Sequence, residues 1–123
     1  MRYSKAMGEI EGTDEFAGWF GALGADEQEA IDLAVTALAL DGPRLGRPLV
    51  GTISSSRHAN MKELRPLATT IRILFAFDPR RAAILLLGGD KRGQWVRWYE
   101  VNIPRAEALY DEYLASLRKE GLL

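Results

Sequence analysis

Apolar residues recur at helical spacing over two stretches near the start of the chain. They switch to short continuous runs in the middle and return to helical spacing at the end. Thr13 is placed to cap a first helix carrying Phe16, Trp19, Phe20 and Leu23 on one face, with Gly24 to end it. Asp26 followed by Glu29 resembles a capping box, and Ala30, Ile31, Leu33, Ala34, Ala37, Leu38 and Leu40 continue the stripe until Asp41-Gly42-Pro43. These two helices form a hairpin whose aromatic residues belong to a core. The glycine-, proline- and serine-rich stretch from Pro43 to Asn60 reads as a loop, with a short strand near Leu49 to Ile53. Met61 to Pro66 reads as a more polar strand. Ile71 to Phe77 is β-branched and aromatic, Asp78-Pro79-Arg80-Arg81 carries proline at the second position of a type I turn, and Ala82 to Leu87 returns. Gly8 to Gly12 is a weaker edge strand, preceded by an extended or disordered start from Met1 to Met7, with Met7 a candidate initiator. Pro104 suits the first turn of a last helix, whose stripe is Ala106, Leu109, Tyr110, Tyr113, Leu114 and Leu117 before Gly121. The expected fold is a single α+β domain over residues 1–123, in which a small antiparallel sheet is covered by the N-terminal helical hairpin and joined by a C-terminal helix.

Composition narrows the setting. The 123 residues are 47% hydrophobic, enough for one compact domain. Without cysteine there are no disulfides or thiolate metal sites, which fits a reducing cytoplasm. No run approaches the ~18 apolar residues of a membrane span, and Met1 to Gly12 has no apolar signal core.

Charge changes the picture more. The net charge of −1 conceals a basic centre: Arg57 to Arg105 holds ten basic and four acidic residues, against four and nine in Met1 to Ser56. A solvated charged face is the plain reading; a surface for an anionic ligand is the sharper one. The cations cluster where the strands end. Arg72 interrupts an apolar strand, Lys62 and Arg65 flank the polar strand, and Lys91, Arg92, Trp95, Trp98 and Tyr99 follow the return strand through Gly88-Gly89 and Gly93. His58 is the one histidine. One histidine without cysteine is a poor metal set, Ser54 to Ser56 beside His58 lack a nucleophile elbow, and the glycines lack the Walker pattern. RNA cleavage needs less: the 2′-hydroxyl is the nucleophile, and the protein orients it, takes its proton and stabilises charge on the phosphate. Arginine forks match phosphate oxygens and aromatic rings stack bases.

Lys-Glu-Leu-Arg-Pro at 62–66, Ile-Arg-Ile-Leu-Phe-Ala-Phe-Asp-Pro at 71–79, Leu-Leu-Gly-Gly-Asp-Lys-Arg-Gly at 86–93 and Trp98-Tyr99 resemble the phage-derived Gp49-like branch of the HigB toxins, in the RelE/ParE superfamily. That resemblance covers roughly Gly8 to Leu117 and implies a RelE/ParE-like fold. It also implies a ribosome-dependent messenger-RNA endonuclease that uses no cofactor. By position, Arg72 and Arg92 match phosphate-contacting arginines, Tyr99 a C-terminal tyrosine, and Lys62 and Lys91 a basic patch. His58, Arg65, Lys91, Trp95 and Trp98 are the expected substrate-binding residues, and Lys62, Arg72, Arg92 and Tyr99 the expected catalytic ones. The general base stays open between Lys62 and His58; Lys62 is favoured because Arg65, Arg72 and Lys91 nearby would depress its pKa. The resemblance further implies a HigA-like helix-turn-helix antitoxin, contact with operator DNA only through it, and ribosome and mRNA as targets. Two alternatives within the same group are a ParE-like gyrase-binding toxin and an inactive phage-related binding protein.

Overall fold

A computed structural model describes residues 2–4 and 9–123. The elements run β1 (Arg2–Ser4), β2 (Glu9–Gly12), α1 (Asp14–Gly21), α2 (Ala25–Asp41), a 3₁₀ turn (Gly42–Arg44), β3 (Val50–Thr52), β4 (Met61–Leu64), β5 (Ile71–Phe77), β6 (Ala83–Asp90) and α3 (Trp95–Lys119). The six strands form one sheet in the order β1-β2-β6-β5-β4-β3. The α+β class and the β5–β6 hairpin are as expected. The sheet, however, is mixed, because β2 runs parallel to β6 while the remaining pairs are antiparallel. Nor is β2 an edge, since β1 covers its outer side. Apart from Arg2–Ser4, the stretch Met1 to Met7 lies outside the described residues.

Both faces of the sheet are buried, which is why β5 and β6 read as continuous apolar runs. Ile73, Phe75 and Leu85 pack with Phe16, Ile31, Val35 and Leu38 of the α1–α2 hairpin. Leu74, Ala76, Ile84 and Leu86 pack on the other side with Trp98, Ala106 and Tyr110 of α3. Thr13 ties the hairpin down: its Oγ accepts the Phe16 N–H at 3.0 Å and donates to the Leu86 carbonyl at 2.6 Å. Helix α1 ends at Gly21, before the expected Gly24, so α2 begins earlier than its sequence suggests. Its cap is Gly24 with Glu27, whose Oε1 accepts the Gly24 N–H at 3.3 Å, in place of Asp26 with Glu29. At the β5–β6 turn the Arg81 N–H donates to the Asp78 carbonyl, while Asp78 Oδ1 accepts from the Arg80 and Ala82 N–H groups.

Helix α3 departs most from the sequence reading. It starts at Trp95, and Pro104 lies inside it. Gly93, at φ +75°, reverses the chain after β6, so the aromatic-rich segment ahead of Pro104, outside the helix expected from the sequence, forms that helix's first turns. Proline costs an interior helix one hydrogen bond. Trp98 anchors these turns in the core with 4% of its surface exposed, which offsets that loss.

Gly88 and Gly89 let a tryptophan approach each face of the sheet. A Cβ on Gly88 would lie 2.3 Å from the Trp19 ring, and one on Gly89 2.6 Å from Trp98 Nε1. Gly88→Ala is therefore expected to push Trp19 out of place and destabilise the protein by about 1–3 kcal/mol. Urea unfolding of that variant checks the expectation.

Candidate active site

The cations converge where β4, β5 and β6 meet the start of α3. Pleating alternates the side chains of β4, so Met61 and Glu63 face α3, whereas Lys62 and Leu64 face the hairpin. Arg72 faces α3 as well, two residues before Leu74. Glu63, 5% exposed, is the hub. Its Oε2 accepts from Arg65 Nη2 at 2.8 Å and Nε at 3.2 Å, its Oε1 accepts the Tyr99 hydroxyl at 2.6 Å, and Arg72 Nε lies 3.8 Å from Oε1. Gly51, paired with Glu63 in register, leaves the room that the Arg65 guanidinium fills: a Cβ there would sit 2.3 Å from Nη2.

Lys91 closes the cluster from above. The ammonium donates to the Tyr99 hydroxyl at 3.3 Å and lies 3.8 Å from the centre of the Trp95 ring. Only 6% of Lys91 is exposed. Burial and the neighbouring Arg72 and Arg65 charges pull its pKa below the ordinary lysine value, against a partial lift from Glu63. Arg72 spends Nη1 on the Ile71 carbonyl at 2.7 Å, while its buried Nε meets no hydrogen-bond acceptor among the described residues. Buried donors left this way are uncommon and call for an acceptor. Across the strand end, Asp90 accepts the Thr70 hydroxyl and the Arg92 N–H, and these bonds with the Arg92 and Arg72 charges hold its carboxyl below the usual range. Four cations thus face two carboxylates, a surplus suited to a phosphodiester.

Burial, and next the bond to Glu63, push the Tyr99 hydroxyl up to about 12. A folded value above the unfolded one of ~10 means that this contribution to stability is complete below pH ~10 and is lost as pH rises toward 12. Tyr99→Phe is expected to flatten that alkaline limb, measured as the urea midpoint against pH.

The structure brings together Arg65, Arg72, Lys91, Trp95 and Tyr99, with Arg92 on the adjoining exposed turn. The antiparallel register sets Arg72 opposite Gly89, so Arg72 and Arg92 share one end of the hairpin as the sequence suggested. Three expected residues lie elsewhere. Lys62, paired with Phe75, is on the hairpin side of the sheet, so the like-charge repulsion expected there from Arg65, Arg72 and Lys91 lacks its geometry. The same physics acts on Lys91 instead. Trp98 is in the core under Gly89 and has no open ring face for a base. His58 is far along α3: its Nε2 lies 2.9 Å from Asp111 Oδ1, its ring stands edge-on to Tyr110, and Arg57 also pairs with Asp111. Tyr99 and Asp111 are twelve helical steps apart, about 18 Å of rise. Sequence reading missed Glu63 and Asp90. For Glu63 the signal is conditional: a carboxylate in a strand requires a cationic partner only where the strand is covered, and nothing local between Lys62 and Arg65 shows that cover.

Among the described residues no group of three or more His, Asp or Glu side chains is placed to hold a metal ion, and no helix is long and apolar enough to cross a membrane. Residues 18–111, which include every residue of the cluster, match the family described as "Phage derived protein Gp49-like". A Mycobacterium tuberculosis protein named "Putative toxin HigB3" is 55% identical over 98 residues, spanning 80% of this chain and 86% of that protein. A second from the same organism, named "Putative toxin HigB2", is 42% identical over 113 residues, spanning 89% of this chain and 56% of the relative's length.

Proposed function

Because the chain belongs to the phage-derived Gp49-like family, alongside relatives of HigB type, we propose that it is the toxin of a toxin–antitoxin pair and acts as an endoribonuclease on messenger RNA. The observation that carries the chemistry is the buried Lys91 amine, its pKa lowered, hydrogen-bonded to Tyr99 among Arg65, Arg72 and Arg92. In the reaction the RNA 2′-oxygen bonds to phosphorus as the phosphorus–5′-oxygen bond breaks, and the leaving 5′-oxygen takes a proton from water, giving a 2′,3′-cyclic phosphate and a free 5′-hydroxyl. Lys91 in its amine form takes the 2′-proton, which needs a base titrating closer to neutrality than free lysine. Arg72 and Arg92 stabilise the charge growing on the phosphoryl oxygens, each offering a planar fork. Tyr99 positions Lys91 and, with Arg65, holds Glu63, so that the carboxylate is satisfied without cancelling the cations. Trp95, 55% exposed beside Lys91, is the ring on which an unpaired base stacks.

The partners follow from the same reading: a HigA-like helix-turn-helix antitoxin that neutralises the toxin and carries it to operator DNA, and the translating ribosome in the cytoplasm as the place where transcripts are cut. Primer-extension mapping after brief induction tests it. New 5′ ends within translated regions, absent when initiation on that transcript is blocked, are expected. Intact transcripts together with loss of plasmid supercoiling would replace this reading with a gyrase-binding one.

A further inference from the structure

Beside the cation cluster, a groove of about 420 Å³ runs between one stripe of α3 and the loop joining β3 to β4, lined by Ser55, Val96, Tyr99, Glu100, Ile103 and Pro104. Its volume is that of a small-ligand site. Val96, Ile103 and Pro104 make an apolar floor, and Val96 is 71% exposed. Tyr99 belongs to both places: its hydroxyl serves Glu63 and Lys91, and its ring borders the groove.

The polar groups of the groove are acceptors. Glu100 is exposed, and its carboxylate makes no hydrogen bond or ion pair among the described residues. Four residues on, Pro104 has no N–H, so the Glu100 carbonyl also lacks its helical donor. The unpaired Glu100 carboxylate therefore sits at the rim of an apolar slot. Glu107 closes the far end but is already engaged, accepting from Ser56 Oγ and the Arg57 N–H, which hold its pKa below the usual range.

We infer that this groove holds one nucleobase of the RNA bound across the cation cluster, and that Glu100 makes it select guanine. A planar, apolar-faced ligand fits the floor, and a rim of acceptors requires N–H groups on its edge. Guanine presents N1–H and N2–H side by side, the spacing of two carboxylate oxygens. Adenine and cytosine set their amino group beside an acceptor nitrogen, and uracil places its single N–H between two oxygens that a carboxylate repels. Bases are read on that edge once they leave the stack. The inference takes its substrate class from the nuclease reading, but its first readout is oligonucleotide binding, which needs no cleavage.

The probes are two 2′-O-methyl hexanucleotides, one of uridine throughout and one with a single central guanosine, titrated into the isotopically labelled protein. The guanosine oligomer is expected to bind about tenfold tighter, the discrimination of one good bidentate contact. It should shift the amide resonances of Val96, Glu100 and Ile103. Glu100→Gln should bring the two affinities together, weakening the guanosine oligomer and relieving the repulsion of uracil, while the fold stays intact, since Glu100 is exposed and pairs with nothing that folds the chain. Equal binding by the wild type, a preference that survives both Glu100→Gln and Glu100→Ala, or resonance shifts confined to other residues would overturn the assignment. A guanine preference without ribosomal cleavage would retain the base site and dismiss the nuclease reading; cleavage indifferent to guanine would do the reverse.

Discussion

Lys91→Met is expected to lower the single-turnover rate of cleavage by at least about a hundredfold, the usual contribution of a positioned base, while the protein remains folded. Methionine keeps the length of the stem beside Trp95 and Tyr99 and removes only the amine. Arginine should not rescue, because it stays protonated and cannot accept the 2′-proton. In the wild type the rate should rise with pH as Lys91 loses its proton, with a midpoint below the ~10.4 of free lysine. Stability moves the same way. Because the folded pKa of Lys91 is lowered, the unfolded chain holds more protons between the folded and unfolded values, so stability rises with pH across that window. Lys91→Met abolishes that rise. A variant inactive yet at least as stable near neutral pH would mark Lys91 as a residue kept for chemistry at the expense of folding.

Glu63→Ala has the largest expected effect on stability. It leaves the Arg65 guanidinium partly buried without its carboxylate partner, takes the Glu63 carboxylate away from Arg72, and leaves the Tyr99 hydroxyl without its acceptor. Removing one partner of a buried ion pair typically costs about 3–5 kcal/mol, much of it the desolvation of the charges left behind. Glu63→Gln keeps the shape and should cost less. Since the Glu63 charge lifts the Lys91 pKa, the glutamine variant should also move the rising limb of the pH–rate profile to lower pH. Chemical denaturation and the rate profile of that one variant separate the two roles. A limb that moves upward, or not at all, would detach Glu63 from the chemistry.

The sequence shows the central β-hairpin plainly, because Ile71 to Phe77 and Ala82 to Leu87 are apolar on both faces and the turn chemistry of Asp78-Pro79 has few alternatives. Arg72 stands out for the same reason, as a charge in an apolar strand. What was hidden depends on tertiary context. Pro104 is a strong local signal for a helix start, yet the burial of Trp98 and Ala106 against β5 and β6 carries one helix through it. Parallel pairing of β2 with β6 links residues some 70 positions apart, and no local pattern announces it. The side on which Lys62 falls turns on a single step of β-strand register, which reverses every side chain. Glu63 went unnoticed because a carboxylate in a basic segment looks like a solubilising charge until the strand that carries it is known to be covered by α3.

The role of Lys91 as base is decided by cleavage under single-turnover conditions on ribosomes programmed with a defined transcript, comparing wild type and Lys91→Met with the cut ends identified. The wild type is expected to leave a 2′,3′-cyclic phosphate and a 5′-hydroxyl, and Lys91→Met, folded and still bound by the antitoxin, to cut at least about a hundred times more slowly. Equal rates for the two proteins, or no cleavage by the wild type on translating ribosomes, would contradict it.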